Sequence, residues 1–134
     1  GVYGSSARVT SGGDRKVAVE VPALSAVVLK AAKPLGAPAA GPSVSVRAPA
    51  AGATGDVEVT AAVDGGRLNR VVFAAQVGNG PWRTLGSADH APYRVTQHLP
   101  GTVRAGTPLR YKAVVIDSAG RTASATAATT AGQP

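Results

Sequence analysis

The sequence predicts an all-β fold, an antiparallel β-sandwich of about seven short strands. Three observations predict it. Valine alternates with other residues in several runs, clusters of glycine, proline and aspartate separate those runs, and no helical periodicity occurs. The clearest run is Leu109–Thr122, which predicts a strand, a turn at residues 117–120 and the start of another strand.

The first predicted segment covers residues 1–33. Within it, Lys16–Val21 alternates with a period of two, and Ser25–Ala31 has apolar residues on both faces, so we expect two strands joined by a short proline-containing link. Residues 34–42 are rich in proline, alanine and glycine and predict an extended linker. We expect the domain boundary there.

Residues 43–129 predict the sandwich, and residues 130–134 a tail. The first five strands are expected at Ser43–Arg47, Asp56–Val63, Asn69–Val77, Trp82–Leu85 and Tyr93–Leu99. A strand beginning at Leu109 and a last one at Arg121–Thr129 complete the set. Only 4% of the residues are aromatic, so we expect a thin aliphatic core.

Composition bounds the function. The net charge is +7, but the basic residues are scattered singly, so nucleic-acid binding is not expected. The chain has no cysteine, which excludes disulfides and thiolate metal sites. No apolar run is long enough to span a membrane, so no membrane partner is expected. The first residues lack the pattern of a signal peptide, and we expect the sequence to begin within a longer protein.

No catalytic or metal-binding set is predicted, and no cofactor is expected. The two histidines, His90 and His98, lie in a loop and on the solvent side of a strand, without converging ligands. Asp56 and Glu58 share the polar face of one strand, whereas a glycosidase needs two carboxylates on opposite sides of a sugar. Asp117 is expected to be a structural turn residue.

Three aromatic residues have predicted roles. Trp82 and Tyr93 are candidate carbohydrate-binding residues, because sugar rings stack on exposed aromatic faces. The competing interpretation, which we favour, is that Trp82 fills one end of the core. Tyr111 is expected to be structural, with its hydroxyl bonded to the preceding long turn, so that Tyr111→Phe would cost about 1 kcal/mol.

Two stretches resemble known families. VYGSS at residues 2–6, the Gly-Gly-Asp turn at 12–14 and VAVEVPALSAVVLKA at 17–31 resemble the last strands of the β-domain that follows the catalytic barrel in alpha-amylase-family glycoside hydrolases. RVVFA at 70–74, APY at 91–93 and LRYKAVVIDSAG at 109–120 resemble bacterial immunoglobulin-like (Ig-like) or fibronectin-type-III-like modules of secreted enzymes.

These resemblances imply a non-catalytic C-terminal accessory module of a secreted alpha-amylase-family enzyme. It would act as a spacer, a stabiliser or a weak polysaccharide contact, with the remainder of that glycoside hydrolase as its partner. The alternatives are a dedicated carbohydrate-binding module that uses Trp82, and a cell-surface adhesion Ig-like domain. Fold resemblance alone does not decide among them, because such modules serve many purposes.

Overall fold

The computed structural model of the protein describes residues 9–12, 16–30, 32 and 40–133. The chain divides into two compact units, Gly1–Leu35 and Gly36–Pro134. Among the described residues, no helix has the length and hydropathy needed to cross a membrane.

The second unit contains seven strands, which confirms the predicted all-β sandwich. They are β1 Ser43–Arg47, β2 Gly55–Asp64, β3 Arg70–Val77, β4 Arg83–Ala88, β5 Tyr93–Leu99, β6 Pro108–Ile116 and β7 Thr122–Thr130. Each begins within two residues of its predicted start. Strand β4 continues to Ala88, past its predicted end at Leu85, because its backbone pairs with β3 as far as Ala88.

The strands form two antiparallel sheets. One has the order β1-β2-β5 and the other the order β4-β3-β6-β7. The central pair β3–β6 is in continuous register from Arg70 opposite Ile116 to Val77 opposite Leu109. Across the sandwich β1 lies against β7 and β4 lies against β5, so the two sheets meet along both edges.

The core is built from the inward positions of both sheets. Its fully buried side chains are Val59, Val71, Phe73, Leu109, Tyr111 and Val115. The two large rings have small neighbours, since Phe73 lies opposite Ala113, and Tyr111 lies between Ala75 and Ala127. Alanine at these paired positions leaves room for the rings, which explains how an alanine-rich sequence fills a core with few aromatic residues.

The hydroxyl of Tyr111 corrects one prediction. It is buried and has no hydrogen-bond partner within the described part of the chain. The expected bond to the preceding turn is therefore absent. Burial also raises the pKa of Tyr111, because the ionised phenolate would lose its solvation.

The turn between β6 and β7 is organised by Asp117. Its Oδ1 accepts hydrogen bonds from the backbone N–H groups of Ala119 and Arg121, each at 2.9 Å. Its Oδ2 accepts from Nε and Nη2 of Arg121 at 2.9 and 2.8 Å. The carboxylate is fully buried. These contacts confirm the prediction that Asp117 is a structural turn residue.

Burial alone would raise the pKa of the Asp117 carboxyl. The hydrogen bonds from the backbone and guanidinium of Arg121 and from Ala119 outweigh that effect and hold the pKa below its ordinary value of 3.8.

The end of β7 takes part in the fold. Ala131 is buried and forms a bridge with Ala53, and the N–H of Gly132 donates to the carbonyl of Ala53 at 2.9 Å. A side chain at Gly132 would collide with the backbone of Gly52. Residues 130–133, in the predicted tail, thus complete one edge of the sandwich.

The first unit differs from the prediction. Residues 16–30 form no strand, although two strands were predicted at Lys16–Val21 and Ser25–Ala31. A turn occupies residues 23–24, where Leu24 has a positive φ of 57°. Valine alternation favours a strand only where a partner strand can pair the backbone, and no such pairing occurs among the described residues of this unit. The predicted linker at residues 34–42 lies mostly outside the described residues.

We predict that Tyr111→Phe does not lower the free energy of unfolding and raises it by up to about 1 kcal/mol, because it removes a buried hydroxyl that has no partner. Urea denaturation of both proteins measures this. Phe73→Ala is the control for ring packing and should cost about 3–5 kcal/mol. A clear loss of stability in Tyr111→Phe would show that the hydroxyl has a stabilising partner.

We predict that Asp117 makes stability acid-sensitive. Its pKa is lower in the folded than in the unfolded chain, so its contribution is complete above the ordinary pKa of 3.8 and is lost as pH falls through the folded value. Asp117→Asn should therefore lower the urea midpoint at pH 7. The midpoint of this variant should also fall less steeply than that of the wild type as the pH is lowered. The exposed Asp64→Asn is the control and should keep the wild-type pH profile. An unchanged profile in Asp117→Asn would refute this role.

Candidate functional site

Trp82 lies at the end of the β3–β4 hairpin, immediately before the first residue of β4. The turn is made by residues 78–81, and the N–H of Gly80 donates to the carbonyl of Val77 at 3.1 Å. The Trp82 side chain is 44% exposed and is not part of the hydrophobic core. The interpretation that we favoured from sequence, a tryptophan filling the core, is therefore wrong. The short, proline-bounded approach to β4 leaves the ring at the surface instead.

Tyr93 has a different environment. It is the first residue of β5, is half-buried and packs against the core. It pairs in register with Ala61 of β2, on the inward side of the sheet. Less of its ring is therefore free for stacking than is the case for Trp82.

The structure does not bring Trp82 and Tyr93 together. The chain turns back between β4 and β5, so that residues 83–85 lie level with residues 96–98. Trp82 is at one end of this edge and Tyr93 at the other. Six residues separate Trp82 from the end of β4, which at roughly 3.3 Å per residue places the two aromatic positions about 20 Å apart along the strand direction.

An open cleft of about 390 Å³ lies where β4 faces β5. It is lined by Ala75, Val77, Gly80, Pro81, Arg83, Thr84, Leu85, Thr96, Gln97 and His98. A bulge in β4 contributes to it: Phe73 and Ala74 pair with Gly86 and Thr84, which leaves Leu85 as an extra residue. Trp82 is not itself a lining residue, but both of its chain neighbours are.

Gln97 is the residue of this cleft that the sequence analysis missed. It occupies an inward position of β5, between Val95 and Leu99, and its Oε1 is buried without a hydrogen-bond partner in the described structure. The signal that could have found it is an amide at a position where the period-two pattern calls for an apolar side chain.

The outer face of the three-stranded sheet carries ion pairs rather than a catalytic set. Nδ1 of His98 and Oδ1 of Asp56 are 2.7 Å apart, and Nη1 of Arg94 and Oε2 of Glu58 are 3.5 Å apart. All four side chains are more than half exposed, as predicted for the solvated face of β2. Pairs of this kind contribute little to stability.

The other histidine, His90, and its neighbour Asp89 have separate surroundings. Asp89 accepts a hydrogen bond from Nε of Arg70 at 2.7 Å, which raises the pKa of Arg70, and His90 is exposed. Among the described residues, no group of three or more histidine or acidic side chains is close enough to hold a metal ion.

Comparison with known proteins gives one informative match. No protein-family model and no solved structure matches the chain. Over 124 residues, however, the chain is 67% identical to an alpha-amylase of Streptomyces lividans. The match covers 92% of this chain but only 14% of the amylase, in its C-terminal part. The resemblance that the sequence predicts is thereby confirmed: this chain is similar to the C-terminal part of an alpha-amylase.

Proposed function

We propose that this chain is a non-catalytic accessory region of a secreted alpha-amylase-family enzyme. The observation that carries the proposal is the 67% identity to the C-terminal part of the Streptomyces lividans alpha-amylase. Such enzymes need two carboxylates across a bound sugar. In the described part of the chain, Asp56 and Glu58 are exposed and paired with basic side chains. Asp117 is buried and bonded within a turn. The hydrolytic residues would then belong to the rest of the parent enzyme.

The second unit would be an Ig-like module. The strand order β1-β2-β5 against β4-β3-β6-β7 supports this proposal, since Ig-like domains pack two antiparallel sheets in which the fifth strand pairs with the second and the sixth with the third. A rigid sandwich of this kind suits a spacer or stabilising role. It needs no ligand to fold, because its core is closed by its own side chains.

Residues 1–33 would be the last strands of the β-domain that follows the catalytic barrel. The alternating valines Val17, Val19 and Val21 are exposed, as are Val28 and Leu29. Exposed alternating valines are unusual for a finished fold and are typical of strands whose partners lie elsewhere. We propose that the remainder of the parent enzyme pairs with this segment, which would explain why the described residues 16–30 form no strand.

A second candidate function is polysaccharide contact through Trp82. Its 44% exposure supports this, because a solvated indole can stack on one face of a sugar ring. Tyr93 would not share that platform, given its half-buried position at the other end of the β4–β5 edge. One exposed ring provides limited area, so the contact would be weak and would add to the binding of the parent enzyme.

The non-catalytic role is tested by incubating the 134-residue chain with starch, pullulan or glycogen and assaying reducing ends. We expect no release above the buffer blank, because no pair of carboxylates within the described residues faces a common substrate site. The intact Streptomyces lividans amylase is the positive control. Release of reducing sugar by the purified chain would overturn the proposal.

The division of roles is tested by two truncations of that amylase. Removing the part that matches residues 43–133 should leave its rate on a short soluble maltooligosaccharide unchanged. Removing in addition the part that matches the first segment should lower its melting temperature, because the upstream β-domain loses its last strands. Equal melting temperatures for the two truncations would contradict the assignment of the first segment.

A further inference from the structure

We propose that the outer face of the four-stranded sheet binds a linear phosphodiester polymer without bases, with the chemistry of poly(glycerol phosphate). The proposal rests on the charges that strands β4, β3, β6 and β7 place on this face. These four strands contain no aspartate or glutamate, whereas β2 of the other sheet contains three acidic residues. The four strands themselves therefore present no carboxylate that would repel a polyanion.

Two cations lie at the centre of this face. Arg110 and Lys112 occupy alternate outward positions of β6, an interior strand of the sheet, and both are exposed. Within the described part of the chain, neither side chain forms an ion pair or a hydrogen bond. Successive outward side chains of a strand are about 7 Å apart. The two cations can therefore contact successive phosphates of an extended chain.

Acidic side chains neutralise arginines elsewhere in the second unit. Three ion pairs do so, at Arg70–Asp89, Arg94–Glu58 and Arg121–Asp117. The first of these lies at the end of the proposed face that is remote from Arg110. Residues 40–133 contain nine lysine and arginine residues and five acidic ones. Positive charge is therefore in excess, and on this face the excess lies at Arg110 and Lys112.

Hydroxyl groups and a small side chain accompany the cations. The strand registers set one row across the four strands, consisting of Thr84, Ala74, Lys112 and Thr126. Serine and threonine hydroxyls donate hydrogen bonds to phosphate oxygens, and an arginine guanidinium can donate two parallel ones. Ala74 has a short side chain, so a polymer can lie close to the sheet between these donors.

The same face offers little for nucleobases. Trp82 follows the β3–β4 hairpin and, by continuation of the strand register, lies level with Gln76, the neighbour of Arg110. It is the one exposed aromatic side chain on this face among the described residues. Single-stranded nucleic acids are held by several stacked bases in addition to phosphate contacts. One ring provides one stacking position, so these observations favour a polymer without bases.

The test is a titration of the ¹⁵N-labelled 134-residue chain with poly(glycerol phosphate), followed by NMR. We expect chemical-shift changes at the amides of Arg110, Lys112 and Thr126. The affinity should fall about tenfold between 50 and 200 mM salt, as for two to three neutralised phosphates of a single-stranded chain. Absence of shifts, shifts confined to residues 1–35 or to the three-stranded sheet, or binding unaffected by salt would each overturn the proposal.

Two double variants separate this face from the net charge. Arg110→Gln with Lys112→Gln should weaken binding at least about tenfold, because both free cations are lost, and should leave the urea midpoint unchanged, because both side chains are exposed. Arg47→Gln with Arg94→Gln is the matched control, since it removes the same charge from the other sheet. At physiological salt it should weaken binding less than about twofold. Equal weakening by the two variants would refute the assignment to this face.

A second ligand tests the choice of polymer. We expect a short oligothymidylate to bind no more tightly than poly(glycerol phosphate), and Trp82→Ala to leave the binding of both unchanged. If the oligothymidylate binds more tightly and Trp82→Ala abolishes its binding, the face is a site for single-stranded nucleic acid and the proposal is wrong. None of these outcomes affects the non-catalytic accessory role, which has its own assay.

Discussion

The pairing of β3 with β6 is the constraint on which the rest of the second unit depends. It places Phe73 opposite Ala113 and Ala75 opposite Tyr111, so that the two large rings of the core lie on adjacent strands without competing for space. Both rings are fully buried, and Phe73 contributes roughly 1.5–3 kcal/mol through its removal from water. A one-residue shift in this register would turn every core side chain of the pair to solvent, which is why the pattern fixes the pairing.

The two edges of the sandwich differ in how they are packed. Where β1 lies against β7, the segment around Ala53 bridges to Ala131 and closes the end of that edge. Where β4 lies against β5, a bulge in β4 and an inward glutamine on β5 leave a cleft. Packing is therefore closer at the first edge than at the second.

Much of the fold was predictable because its signals are local. Valine alternation identified strands such as β2 and β3, and glycine and aspartate identified turns such as the one built on Asp117. The candidate site was less predictable. Trp82 follows a turn whose exit direction depends on the β3–β4 register, so sequence could not say whether its ring enters the core. The sequence pattern predicted a hydrogen bond from the Tyr111 hydroxyl to the preceding turn. The actual surroundings of that hydroxyl depend on residues distant in sequence.

By itself, the sequence determined the fold class and the likeness to an alpha-amylase, because periodicity, turn chemistry and residue identity are properties of the chain. The tertiary structure alone decided that Trp82 is exposed, that Tyr93 lies at the far end of the same edge, and that Gln97 and Arg83 meet across a cleft. It also decided that residues 16–30 remain without strands. The physical reason is the same in each case: exposure, juxtaposition and backbone pairing are set by which strands come together, and that depends on the packing of the whole chain.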